Sequence, residues 1–360
     1  MKTWSDFNHY ASKYDGPADL NALMNPASDV KWLGDMVLGL QQISNSYQGD
    51  KNKRGDYYRA SSGMFESMSF NGGASRSVDE YLFGITLGVP LRLTAACSLL
   101  ACGDLSADQK RIFDYVTAAD ADPAEPADYE AVMAGLEEPS KVALGRSMTF
   151  FSLAFVWMHE AFHTLIGHVD FASEVLGLSL DELNMEDPGG FSSDVLQALE
   201  LDADGASLTN FCLTLVQTPK FGIVADGNLD PAHRVAQAAE GAIIALAILE
   251  LRRERLGLRD EKSHPNPSRR FANLMGMLRS FERRGMLPKG TVENLSRRIA
   301  KWQAAFAGSS VEALLDIVIH PEKKIEADTK RLSDLIKLGK SELAIFEETS
   351  FAPRVRPPGV

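Results

Sequence analysis

The sequence predicts a mainly helical, α+β fold with one small sheet. Two observations lead there. Apolar residues recur at spacings of three and four along most of the 360-residue chain, the periodicity of amphipathic and buried helices. Strand-like alternation is scarce, and its clearest candidates lie in "YYRASSGMFESMSF", Tyr57 to Phe70, ahead of an "NGGAS" turn. Composition agrees with a globular chain: 45% of residues are hydrophobic and 24% charged, ample material for a large core.

Residues 1–128 form an N-terminal region expected to pack on the core. Within it, "YLFGITLGVPLRLTAACSLLAC", Tyr81 to Cys102, is nearly long enough to span a bilayer. Arg92 and Pro90 interrupt it, and Gly84 and Gly88 weaken it. A charge at that depth is costly, so buried helices of a soluble core are expected, and membrane contact through residues 81–102 is the lesser reading. The acidic, proline-interrupted "AADADPAEPADYE", Ala118 to Glu130, is the best boundary candidate.

Residues 129–347 form a second region of long helical patterns. One runs from about Lys141 to His168. "EDPGGFSSD", Glu186 to Asp194, breaks the pattern and supplies Ser192, Ser193 and Asp194 as N-caps for the next helix. After "KFGIVADGNLDPAHR", Lys220 to Arg234, a very apolar helix is expected from Ala236 to Gly257. Residues 348–360, with the proline-rich "FAPRVRPPGV", are expected to be a flexible tail.

Charge and cysteine content limit the function classes. A formal charge of -12 argues against a general nucleic-acid binder. Cys97, Cys102 and Cys212 are an odd, scattered set with no CxxC pair, which points to a reducing compartment and away from a cysteine zinc site. "MKTWSDFNHYASKYDG" has no apolar signal region, so an unprocessed, cytoplasmic chain is expected.

The chemistry gathers in "WMHEAFHTLIGH", Trp157 to His168, which holds three of the seven histidines. His159-Glu160-Ala161-Phe162-His163 is an HExxH motif. On a helix, residues four apart share a face, so both imidazoles can reach one ion. Glu160 then sits beside the ion without binding it and can take a proton from the water that the ion activates. The uncharged flanks Phe155, Val156, Trp157, Ala161, Phe162 and Leu165 suit a helix buried beneath a cleft. The alternative is a buried helix whose histidines are satisfied by ordinary hydrogen bonds.

A catalytic zinc site has three protein ligands and one open position. Gly167 and His168 stand eight and nine residues after His159. One group of zinc proteases needs glycine at seven and histidine at ten, so His168 is expected to line the cleft or stabilise a helix end. "QALELDADGAS", Gln197 to Ser207, offers better candidates: Glu200 and Asp204 lie four apart on one helical face. Glu200 can complete the ligand set, and Asp204 can accept a hydrogen bond from a ligating imidazole. Asp202 is expected to point largely to the other side. A solvated acidic face is the plainer reading of this cluster. Leu196, Leu199, Leu201 and Ala203 make the helix look buried, however, and there unpaired carboxylates are costly and a bound cation offsets them. Finally, "SHPNPSRRF", Ser263 to Phe271, places His264 on a proline-stiffened loop and Arg270 on the first turns of a helix.

HExxH, then ExxxD, then a histidine–proline loop with an arginine six residues after its histidine resembles the gluzincin metalloproteases. It is most similar to the HtpX and CAAX-prenyl endopeptidase group, whose last element reads HPxxxxR. The matching residues are His159, Glu160, His163, Glu200, Asp204, His264 and Arg270, within the span Trp157 to Phe271. The resemblance implies a zincin-like fold with the sheet beside the HExxH helix. It implies one zinc ion held by His159, His163 and Glu200, with Glu160 as base and His264 as a transition-state helper. Asp204 and Arg270 stand behind the ligands. That group carries several transmembrane helices and this chain at most one candidate, so a soluble or peripheral relative fits better. The Lit-type phage-exclusion peptidases, HExxH proteins with the motif mid-chain, are also similar. The expected function is zinc-dependent endopeptidase action on a protein or peptide. Two alternatives remain: a non-catalytic metal-binding or sensor protein whose site His168 or Asp170 closes as a fourth ligand, and a helical interaction protein without metal.

Overall fold

The computed structural model describes residues 3–19, 31–67, 69–117, 138–176, 193–217, 230–255, 265, 267–320, 326–343 and 348–351. In chain order its elements begin with α1 (Thr3–Ala11), α2 (Lys31–Asn45), β1 (Ala60–Phe65), β2 (Gly72–Arg76), β3 (Tyr81–Thr86), α3 (Gly88–Leu100) and α4 (Ala107–Val116). They continue with α5 (Pro139–Leu165), α6 (His168–Phe171), α7 (Ser193–Gln217), α8 (Pro231–Arg255) and α9 (Pro267–Arg283). The last are α10 (Thr291–Ile299), α11 (Ser310–Ile319) and α12 (Glu326–Leu343). The expected boundary at 118–130, most of the breaks at 186–194 and 220–234, His264 and the end of the chain from 352 lie outside the described residues.

Pro139 opens α5, where its missing N–H costs nothing in a first turn. From Met148 to Leu165 nearly every side chain is buried, Trp157 and Phe162 completely. A helix apolar on all sides needs neighbours on all sides. Here α3, α7 and α8 surround it, and β2 and β3 lie along the remaining side. The fold is thus mainly helical, with its small sheet beside the HExxH helix.

The sheet has the order β1-β3-β2. β1 runs parallel to β3, with Gly63 opposite Gly84, and β2 runs antiparallel to it, with Ala74 opposite Phe83. Two expectations are corrected here. "NGGAS" is no turn: Gly72 to Ser75 lie within β2. Its glycines serve close approach. A Cβ on Gly72 would come within 2.6 Å of Glu160 Oε1, and on the opposite face one on Gly73 would meet the Tyr14 and Tyr10 hydroxyls. Nor is Tyr81–Cys102 wholly helical: its first six residues are β3, and α3 begins only at Gly88. Arg92 is buried and donates from Nη1 to the Val116 carbonyl. Among the described residues no helix is long and apolar enough to cross a membrane.

The helix expected to reach His168 stops earlier. Gly167 takes φ 81°, a left-handed conformation that ends α5 and redirects the chain into α6. The expected tail is docked at its start: the Phe351 N–H donates to the Leu165 carbonyl at 2.8 Å, and the Phe351 ring packs on Tyr58 and Tyr81. One apolar core runs from Leu33 to Phe351 and draws on both expected regions. A smaller cluster of Phe7, Tyr10, Tyr14, Phe65 and Leu82 holds α1 to the outer face of the sheet.

Candidate metal centre

The helical repeat of α5 stacks His159 and His163 one turn apart, with their Nε2 atoms 3.1 Å from each other. α7 packs against α5 and presents Glu200 to both rings. Glu200 Oε2 lies 3.3 Å from His159 Nε2, and Oε1 lies 3.3 Å from His163 Nε2. One turn further along α7, Asp204 Oδ1 lies 3.0 Å from His159 Nδ1. Arg270, at the end of the first turn of α9, grips Asp204 through two bonds of 2.7 Å, from Nε to Oδ2 and from Nη2 to Oδ1. The same Nη2 is 4.0 Å from Glu200 Oε2. All five side chains are buried.

The buried group His159, His163 and Glu200 can hold a metal ion. One ligand atom from each residue lies within 4.8 Å of the others, close enough for a single ion to reach all three. The charges fit as well. Glu160, Glu200 and Asp204 are three buried carboxylates, and buried Arg270 lies against two of them, Asp204 and Glu200. A divalent cation would offset part of the cost of burying several carboxylates close together. Burial disfavours charge on His159, yet Glu200 and Asp204 outweigh it and hold its pKa well above 6.5, so the site draws positive charge. Burial likewise opposes ionisation of Glu200, but His163 and His159 keep its carboxyl well below the usual range. For Asp204 the same contest is won by Arg270.

Glu160 is the next residue along α5, buried with its carboxylate against the backbone of β2 at Gly72. A cavity of about 30 Å³ adjoins it, bordered by His159, Arg270, Phe70, Phe155 and Leu246. That is enough for a water molecule, which needs roughly 10–15 Å³. A carboxylate, an imidazole and space for water therefore meet at one point.

The two candidate fourth ligands are engaged elsewhere. His168 Nδ1 lies 3.0 Å from His163 Nδ1, on the far side of that ring from Nε2. Its own Nε2 is 3.2 Å from Asp202 Oδ2. Asp202 does leave the face of Glu200 and Asp204, but it does so to meet His168, a contact that its spacing alone does not reveal. Asp170 accepts from the Tyr81 hydroxyl at 3.0 Å and pairs with Arg76. Burial raises the Asp170 pKa, with Arg76 opposing. Among the described residues the metal-binding group is limited to its three members.

The structure thus brings together His159, Glu160, His163, Glu200, Asp204 and Arg270. His264 lies outside the described residues. Comparison with models of known protein families finds no match, and neither the curated proteins nor the solved structures yield one.

Proposed function

We propose that this chain is a zinc-dependent endopeptidase acting on a protein or peptide. The observation that carries this reading is the buried triangle of His159, His163 and Glu200 with Glu160 and room for a water beside it. Imidazole and carboxylate ligands in a four-coordinate frame suit zinc. When bound, zinc polarises a scissile carbonyl and lowers the pKa of the attacking water. The chain's own residues do the rest. Glu160 receives the water's proton at its carboxylate and passes it to the leaving amine. Asp204, held by Arg270, fixes the orientation of His159. The resemblance to the gluzincins supports the same roles, and it alone assigns His264 as a donor to the carbonyl oxygen in the transition state.

The positions of His168 and Asp170 favour an open site over the closed site of a structural or sensor protein. So does Glu160, for which a purely structural site has no use. The formal charge of -12 supports a peptide over a nucleic-acid substrate. A cytoplasmic location belongs to the same proposal.

Digestion of a peptide library, read by mass spectrometry, tests the reading. Cleavage is expected with zinc, is lost on addition of a chelator and returns when zinc is restored. Cleavage that ignores the chelator, or its absence under all conditions, counts against a metallopeptidase.

A further inference from the structure

We propose that His168 and Asp202 form a positioning relay that sets His163 as a metal ligand, with Asp202 fixing the ring of His168 and His168 fixing the ring of His163. This inference rests on the metal reading of the site. A neutral imidazole carries one N–H and one lone pair, and the hydrogen bond at one nitrogen decides what the other can do. For His163 Nε2 to offer its lone pair to an ion, its proton must sit on Nδ1 and meet an acceptor. The atom 3.0 Å away is His168 Nδ1. That nitrogen can accept only if the proton of His168 sits on Nε2. Asp202 Oδ2, 3.2 Å from His168 Nε2, enforces this by accepting there. Three side chains thus carry one consistent pattern of donors and acceptors, ending at the metal.

The backbone is built for the relay. His168 is five residues beyond His163, a spacing that does not bring the two rings together on a continuous helix. The left-handed turn at Gly167 ends α5 and returns His168 toward His163, leaving the ring centroids 5.1 Å apart and His168 wholly buried. α7 supplies Asp202 from the side opposite Glu200 and Asp204.

The relay also explains why the two ligating histidines are supported differently. Asp204 meets His159 directly and carries its own counterion in Arg270. A carboxylate placed directly against His163 Nδ1 would bury one more negative charge beside Glu160, Glu200 and Asp204. Interposing His168 keeps that carboxylate further out, where the Asp202 side chain is 38% exposed and water shares its charge. His163 is oriented, and the pocket gains no unpaired ion.

The test compares zinc affinity, by competition with a chromophoric chelator, in the parent chain, His168→Ala, His168→Asn and Asp202→Ala. His168→Ala is expected to weaken zinc binding by about 10–100-fold. His168→Asn places an amide oxygen where Nδ1 stood and should recover most of that loss, which a merely space-filling role would not predict. Asp202→Ala, at a partly exposed position that tolerates truncation, is expected to weaken zinc binding as well. In ¹⁵N-histidine spectra of the zinc-loaded chain, His163 should carry its proton on Nδ1. Unchanged zinc affinity in Asp202→Ala or His168→Ala overturns the relay, as does equal loss in the alanine and asparagine variants. If the parent chain itself binds no zinc, the metal reading fails first, and the relay with it.

Discussion

Glu160→Gln is expected to keep the metal and lose hydrolysis. Glu160 is outside the ligand triangle, and its carboxylate rests against Gly72. Glutamine has the same shape, so it fills the same space against β2 and leaves His159, His163 and Glu200 in place. Its amide cannot receive a proton. Loss of a general base at this point is expected to lower kcat by about 10²–10⁴-fold. Steady-state cleavage of a library-derived peptide, with zinc stoichiometry measured on the same sample, checks this. Retained turnover removes Glu160 from the mechanism, and loss of zinc would make it a ligand.

Glu200→Ala is expected to lose zinc, and the Asp204 variants separate ligand from support. Glu200 provides the only carboxylate of the triangle, facing both Nε2 atoms at 3.3 Å. Its removal takes away a charged ligand, so zinc should no longer stabilise the fold. For the parent chain that stabilisation is about 4 kcal/mol at zinc a thousandfold above Kd. Asp204→Asn keeps an acceptor for His159 and should cost only about 10–100-fold in affinity. Asp204→Ala does more harm, because Arg270 is buried and Asp204 holds it through two bonds. Removing one partner of a buried ion pair costs about 3–5 kcal/mol of stability. Zinc competition together with thermal unfolding distinguishes the three. Full zinc retention by Glu200→Ala at limiting metal would mean that the third ligand has been misassigned.

The parts of this site that were legible in the sequence are those set by local geometry. His159 and His163 need only one turn of helix to converge, and Glu200 and Asp204 need only another. The expense of burying carboxylates among Leu196, Leu199 and Leu201 then argues that the two helices share an ion. What stayed hidden depends on contacts distant in sequence. Gly72 and Gly73 read as a turn because glycine marks turns, whereas here they make room for Glu160 and for two tyrosines. Tyr81 to Thr86 reads as part of an apolar helix because a strand buried on both faces has no alternation. The partnership of His163, His168 and Asp202 depends on the turn at Gly167, where a single backbone angle overrides helical spacing. The docking of Phe351 on Tyr58 and Tyr81 has no local signal at all.

Zinc titration of the purified, chelator-stripped chain, run beside a variant in which His159 and His163 are both alanine, decides whether the metal centre exists. One zinc ion per parent chain is expected, with no high-affinity binding in the double variant. A folded parent chain that takes up no zinc, or a double variant that binds it as tightly as the parent, would contradict a metal centre at His159, His163 and Glu200.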